Sequence, residues 1–239
     1  FIARGFLKDG KTDSAVESFE QYLKIYPLAK KNQPPKMVFK SGSGLVFNTI
    51  HANTFHFFKE IHPVLEKEPV SFIEPQLRGL MASIGIQKGK PFAPDDHMTA
   101  LLTDGVAIGN ATARALMFQP RDEATYIYPN RLWKTAFIGG DYRWLIDDGE
   151  GGRNLDARTY FFYMATVNTP AMALKLIGKG SQYAMLDKSK DAAYLHGSKT
   201  YKLTIPANVP AKNFWSVVAY DTQTRSELQT GQPFPSRNN

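Results

Sequence analysis

Apolar residues recur at helical spacing through the first half of the chain and alternate with polar ones in its last third. Val16, Phe19, Leu23 and Tyr26 fall on one helical face, and Pro27 closes that stretch. Ser14 with Glu17 three residues later reads as its capping box. Met37-Val38-Phe39 and Leu45-Val46-Phe47 flank Ser41-Gly42-Ser43-Gly44, which predicts a strand, a glycine turn and a strand. Ile50, Phe57, Phe58, Ile61 and Leu65 then share a helical face that Pro63 is expected to kink or restart. Pro75 suits the first position of a further helix, with the stripe Leu77, Leu80, Met81 and Ile84 and with Gly85 at the C-terminal cap. Asp95 or Asp96 caps a longer helix to about Phe118, whose stripe is Met98, Leu101, Leu102, Ile108 and Leu116. Gly105 and Gly109 weaken that helix, so another element is expected to approach closely there.

Beyond Pro120 the pattern changes. Tyr, Trp, Gly and Asp predict short strands and a flexible acidic loop ending in Asp147-Asp148-Gly149-Glu150-Gly151-Gly152. Asn154 caps a helix with Leu155, Thr159, Phe162, Tyr163 and Thr166 on one side. Strands are predicted at Gln182–Leu186, Tyr201–Ile205 and Asn213–Tyr220, with Asn208-Val209-Pro210 turning between the last two. Phe214 to Asp221 is apolar on both faces, as a central strand covered on both sides would be. Such a strand wants a neighbour on each edge, and little strand material follows it, so the chain reads as a piece of a larger fold, incomplete at both ends. Helices dominate the middle and strands the last third. That segregation predicts an α+β protein, not alternating βαβ units.

Composition narrows the class. Hydrophobic residues make up 43% and charged residues 21% of the chain, enough for a real core and unlike a disordered segment. Cysteine is absent, which excludes disulfides, thiol catalysis and cysteine-ligated metals. The net charge of +7 is spread over scattered lysines and arginines without a nucleic-acid motif, so no nucleic-acid partner is expected. No apolar run approaches the ~18 residues of a membrane span. A partial match to a tetratricopeptide repeat at Ala15, Phe19 and Pro27 has no second copy.

His51, His56 and His62 share one helical stretch, but at spacings of five and six rather than the four of a zinc-binding helix. His56 and Glu60 are four apart and could share a ligand. The loop Asp147–Asp156 lacks the alternation and closing glutamate of an EF-hand. Gly178-Lys179-Gly180 and Gly197-Ser198-Lys199-Thr200 fall short of nucleotide motifs, and no nucleophile elbow is present. No metal and no cofactor are therefore expected. The aromatics are the richest resource: Trp144, Trp215 and Tyr220 could stack on a flat ligand, or pack in the core. Asp221, Arg225 and Glu227 leave the last strand as its loop begins, where sites concentrate.

The run from Leu203 to Ser226, with Leu203-Thr204-Ile205-Pro206 and Trp215-Ser216-Val217-Val218-Ala219-Tyr220-Asp221, resembles the core of the bacterial domain of unknown function 1214. Gly140-Asp141-Tyr142, Arg153-Asn154-Leu155-Asp156-Ala157-Arg158 and Gly180-Ser181-Gln182-Tyr183 fit the same family. Pro34-Pro35-Lys36-Met37, the run Phe47 to Asn53, and Ile84-Gly85-Ile86 resemble the connection from its usual partner, domain of unknown function 1254. The resemblance implies a larger two-domain protein, often exported to the periplasm or secreted, with sheets packed as a β-sandwich or jelly roll. It carries over no catalytic residues. The implied organisation is the end of a 1254-like domain at 1–50, a helical connection at 51–119, and a β-rich 1214-like domain at 120–239.

Three functional expectations follow. The first is a binding surface for carbohydrate or another envelope ligand, with stacking from Trp144, Trp215 and Tyr220 and polar contacts from Asp141, Asp221 and Arg225. The second is a hydrolase using Asp141, Asp221, Arg225 and His51 or His56. The third is an assembly module whose missing strands come from another chain, a homo-oligomer included.

Overall fold

The computed structural model describes residues 11–42, 44–46, 50–165, 168, 170–173, 182–212 and 214–238. The chain divides into two compact units, Phe1–Asn48 and Thr49–Asn239.

The described part of the first unit holds α1, Thr12–Tyr22, and a 3₁₀ turn at Leu28–Lys30. The expected capping box is not formed. The helix starts ahead of Ser14, at Lys11, which lends no side-chain cap; Asp13 sits in the first turn, where its charge suits the positive end of the helix. Neither Met37–Phe39 nor the described Leu45 and Val46 forms a strand. Val38 and Val46 remain exposed, so no sheet face draws them in. The glycine turn between them does form, with Gly44 at φ 74°.

In the second unit, α2 (His56–Lys67), α3 (Pro75–Ser83) and α4 (Asp96–Phe118) share a core of Phe58, Ile86 and Leu102. Pro63 neither ends nor restarts α2. It lies on the exposed side, where water can take the Lys59 carbonyl it leaves free, while Phe58, Ile61 and Leu65 pack into the core from both sides of it. Helix α3 begins with Pro75 at its first position and stops as expected. Gly85 (φ 86°) donates to the Ala82 carbonyl at 3.0 Å and Ile86 to the Met81 carbonyl at 2.9 Å, a Schellman closure that drives Ile86 inward. Asp95 caps α4 through Oδ1, which accepts from the Met98 N–H at 2.7 Å.

Helix α5, Leu155–Ala165, packs along α4. The close approach expected at Gly105 and Gly109 is found elsewhere. A Cβ built on either glycine meets nothing within 4 Å, and Leu101 and Ile108 beside them are exposed. The two helices meet instead near the small residues Ala113 and Ala157, in a core completed by Met117, Ile138, Tyr160 and Tyr163. Phe161 joins Ala136, Phe137 and Ala173 of α6 (Pro170–Ala173) in an adjoining cluster. The buried face of α5 is thus Ala157, Tyr160, Phe161 and Tyr163, while Leu155 and Phe162 are exposed; the stripe expected through those two is rotated away from the core. Asn154 caps α5 as expected, its Oδ1 accepting from Ala157 N–H at 2.9 Å.

Strands are short. Leu145–Ile146 (β1) pairs antiparallel with Gly152–Arg153 (β2) around the acidic loop. Ser216–Val218 (β3) pairs antiparallel with Ser236–Asn238 (β4), matching Val217 to Arg237. The polar tail thus supplies the neighbour for the apolar strand. Ala219 N–H donates to the Pro235 carbonyl and its C=O accepts from Leu228 N–H, so the hydrogen bonds gather on one edge. Of the expected strands at Gln182–Leu186 and Tyr201–Ile205, the first leaves a single bridge from Met185 to Lys134 and the second makes no ladder. Tyr201 and Leu203 are exposed, with no second sheet over them. Mixed helix and strand content holds. The described strands form two two-stranded ladders and isolated bridges, not the stacked sheets of a sandwich.

Candidate functional site

The hairpin β1–β2 and the turns before it surround a cleft of about 410 Å³ lined by Ala124, Ile138, Gly139, Asp141, Trp144, Leu145, Ile146, Asp147 and Asn154. Two of the residues expected from sequence, Trp144 and Asp141, meet here. Left-handed backbone is concentrated on the cleft wall, with Gly139 at φ 77°, Trp144 at 53° and Asp147 at 49°. Side chains other than glycine enter that region at a cost of about 1–2 kcal/mol each. The fold holds two such residues, Trp144 and Asp147, one at each end of β1.

Trp144 is pinned rather than free to stack. Its ring lies 5.5 Å from that of Phe161, tilted by 47°, and it packs against both core clusters. Its indole Nε1–H is shielded and has no acceptor among the described residues. Asp141 accepts from the backbone N–H of Arg143 at 2.8 Å and pairs with its guanidinium at 3.2 Å. These bonds, the backbone one foremost, hold its pKa below the ordinary 3.8. Asp147 is exposed, and no side-chain hydrogen bond or ion pair engages it among the described residues. The cleft thus combines an unsatisfied donor, two carboxylates and an apolar wall of Ile138, Leu145 and Ile146.

The other expected residues lie on the C-terminal ladder. Trp215 is half-buried and Tyr220 is 55% exposed. Tyr220 bridges to Glu227, and partial burial together with that carboxylate raises its phenol pKa. Asp221 organises a turn: its Oδ1 accepts from the Thr224 N–H at 2.7 Å, the Gln223 N–H at 2.9 Å and the Thr224 hydroxyl at 2.9 Å. Those donors, led by Thr224, hold its pKa below the usual carboxylate value. Arg225, at φ 58°, closes the turn by donating its own N–H to the Asp221 carbonyl, and its Nη1 reaches the Tyr163 carbonyl near the end of α5 at 2.9 Å.

The histidines expected for hydrolysis join neither group. His51 stacks on Phe162 at 4.9 Å and meets Phe57 edge-on at 5.4 Å. Glu60 accepts from the Ala52 N–H at 2.8 Å, so the spacing from His56 does not become a pair. Among the described residues no group of three histidines or carboxylates could hold a metal.

The most deeply buried charge among the described residues is one that no sequence motif marks. Lys134 is 1% exposed and donates to the carbonyls of Met117 at 3.0 Å and Phe118 at 3.3 Å, and to Asp187 Oδ2 at 2.7 Å. Its ammonium closes the negative end of α4 and ties residues 185–188 to it. Burial lowers the Lys134 pKa, and Asp187 opposes that shift. Lys188 repeats the theme, donating to Gln119 Oε1 at 2.9 Å and lying 4.8 Å over the Tyr194 ring. The signal available in the sequence was a single lysine inside the apolar run Trp133–Ile138.

Residues 180–239 match the family described as Protein of unknown function (DUF1214). No curated protein matches the chain. The matched segment carries Asp187, Trp215, Tyr220, Asp221 and Arg225; Trp144 and Asp141 stand before it. No helix among the described residues is long and apolar enough to cross a membrane.

Proposed function

We propose that this chain is a ligand-binding module and that its ligand is a carbohydrate or similar polyhydroxylated molecule seated in the cleft at Trp144. The observation that carries the reading is the shielded, unsatisfied Nε1–H of Trp144, a residue of a lining that also holds left-handed backbone and the exposed Asp147. A buried donor without an acceptor costs about 1–3 kcal/mol, which a ligand hydroxyl would recover. Sugars present donors and acceptors around an apolar ring, and the cleft answers both with few polar groups on an apolar wall. Strain retained on both sides of one short strand is itself a pointer to function. Trp144 acts through its N–H, not its ring face. Trp215, Tyr220, Asp221 and Arg225 form a separate surface in this reading.

The resemblance supports a wider setting, also proposed: residues 1–50 as the end of a 1254-like domain, 51–119 as a helical connection, and 120–239 as part of a 1214-like domain. In that setting the β3 ladder belongs to a larger sandwich or jelly roll, completed by further strands or another copy, and the protein works in the periplasm or outside the cell.

Calorimetric titration with a panel of mono- and oligosaccharides tests the central reading. At least one member should bind saturably, and Trp144→Phe, which keeps an aromatic side chain but removes the N–H, should weaken it about tenfold, as one lost buried hydrogen bond would. Equal affinity in the variant would remove the basis of the proposal.

A further inference from the structure

Arginines 114 and 225 converge on Tyr163, and the nearby Asp221 carboxylate feels the Arg114 charge without forming an ion pair with it. Arg114 Nη1 donates to the Tyr163 hydroxyl at 2.8 Å, and that hydroxyl donates to the Thr222 carbonyl at 3.3 Å. The Arg225 guanidinium lies 5.0 Å from the centre of the Tyr163 ring, and that of Arg114 lies 4.8 Å from the centre of Phe118. Among the described residues neither arginine makes an ion pair. Asp221, four residues before Arg225, spends Oδ1 on three hydrogen bonds within its own turn.

Arg225 uses only Nη1. Its Nε and Nη2 are shielded from solvent and have no partner among the described residues. These two nitrogens form one edge of the guanidinium, with parallel N–H bonds spaced to grip two oxygens of one group. Leaving that edge empty under cover is costly, because water cannot serve it either. Arg225 is also held at φ 58°, a strained position for a residue with a long side chain. A vacant fork and local strain coincide at Arg225, with the Arg114 guanidinium close by on the same tyrosine.

We propose that Arg225, with Arg114 beside it, is a recognition site for an oxoanion: a carboxylate or phosphate group that accepts both N–H bonds of the Nε and Nη2 edge. The site is distinct from the Trp144 cleft and stands whether or not that cleft binds sugar. Because the fork is covered, the oxoanion enters as the turn Asp221–Ser226 opens. Tyr163 keeps the guanidinium in place through its ring and carbonyl, and Arg114 adds a second positive charge.

The test is an NMR titration of the chain with inorganic phosphate and, separately, acetate, following the Arg225 Nε–H resonance, with sodium chloride at matched ionic strength as reference. A saturable downfield shift with either anion, absent in chloride, is the expected result; which anion does so identifies the preferred group. Arg225→Lys keeps the charge but loses the fork, and affinity should fall about tenfold or more. Arg114→Gln should weaken binding less and leave the wild-type pattern of shifts. No saturable shift with either anion, or undiminished binding by a folded Arg225→Lys, would overturn the proposal. If the lysine variant does not fold, the wild-type titration decides.

Discussion

Asp141 and Asp221 illustrate how single side chains hold the loops of this protein in place. Both have pKa values depressed below 3.8, Asp141 by the Arg143 backbone N–H and side chain, Asp221 by the donors of its turn. A depressed carboxylate contributes stability above its unfolded pKa and loses it as pH falls through the folded value. The turn Asp221–Ser226 should therefore stay ordered down to pH 3.8 and loosen below it. Amide exchange at Gln223 and Thr224 across an acid titration would report this, and Asp221→Asn should shift the onset. Lys134 and Asp187 have a larger part. Removing one partner of a buried pair leaves a charge uncompensated and costs about 3–5 kcal/mol. Asp187→Ala should lower stability by that order in chemical denaturation, and Lys134→Met combined with Asp187→Leu should recover much of it.

At the scale of elements, helix ends are the most legible part, the start of α1 excepted. Asp95, Asn154, Pro75 and Gly85 all occupy the cap positions their chemistry suggests, because capping depends on a few adjacent residues. Replacing Gly85, at φ 86°, with alanine should destabilise α3 by about 1 kcal/mol, measured by the thermal midpoint. Packing faces were less legible. The α5 sequence is apolar nearly all round, so periodicity could not say that Phe161 turns inward and Phe162 outward. Gly105 and Gly109 looked like a contact and are open instead. Gly105→Ala and Gly109→Ala should each stabilise the protein by about 0.5–1 kcal/mol, since the helix gains propensity and nothing is displaced. A loss of stability in either would mean that a partner element covers that face.

The whole molecule shows why pattern alone misjudged the last third. Alternation in Tyr201–Ile205 and two apolar faces in Phe214–Asp221 are local properties, whereas a strand exists only through its neighbours. Lys134 and Met185 supply one such neighbour across a long stretch of chain, and the polar tail at Ser236–Asn238 supplies another. Neither pairing leaves a periodic trace. Of the candidate cleft, the sequence offers Trp144 and Asp141 as residue types that bind ligands, while the ring packed on Phe161 and the left-handed backbone beside it depend on tertiary context. The two groups of candidate residues, already far apart in sequence, separate into the cleft and the C-terminal ladder. The central claim concerns the cleft, and the three tryptophans of the chain allow it to be read directly. In a ¹⁵N-resolved NMR titration with a saccharide that binds, each indole gives its own Nε1–H resonance. The Trp144 signal should move saturably while those of Trp133 and Trp215 stay in place; binding that leaves the Trp144 signal unmoved would contradict the account.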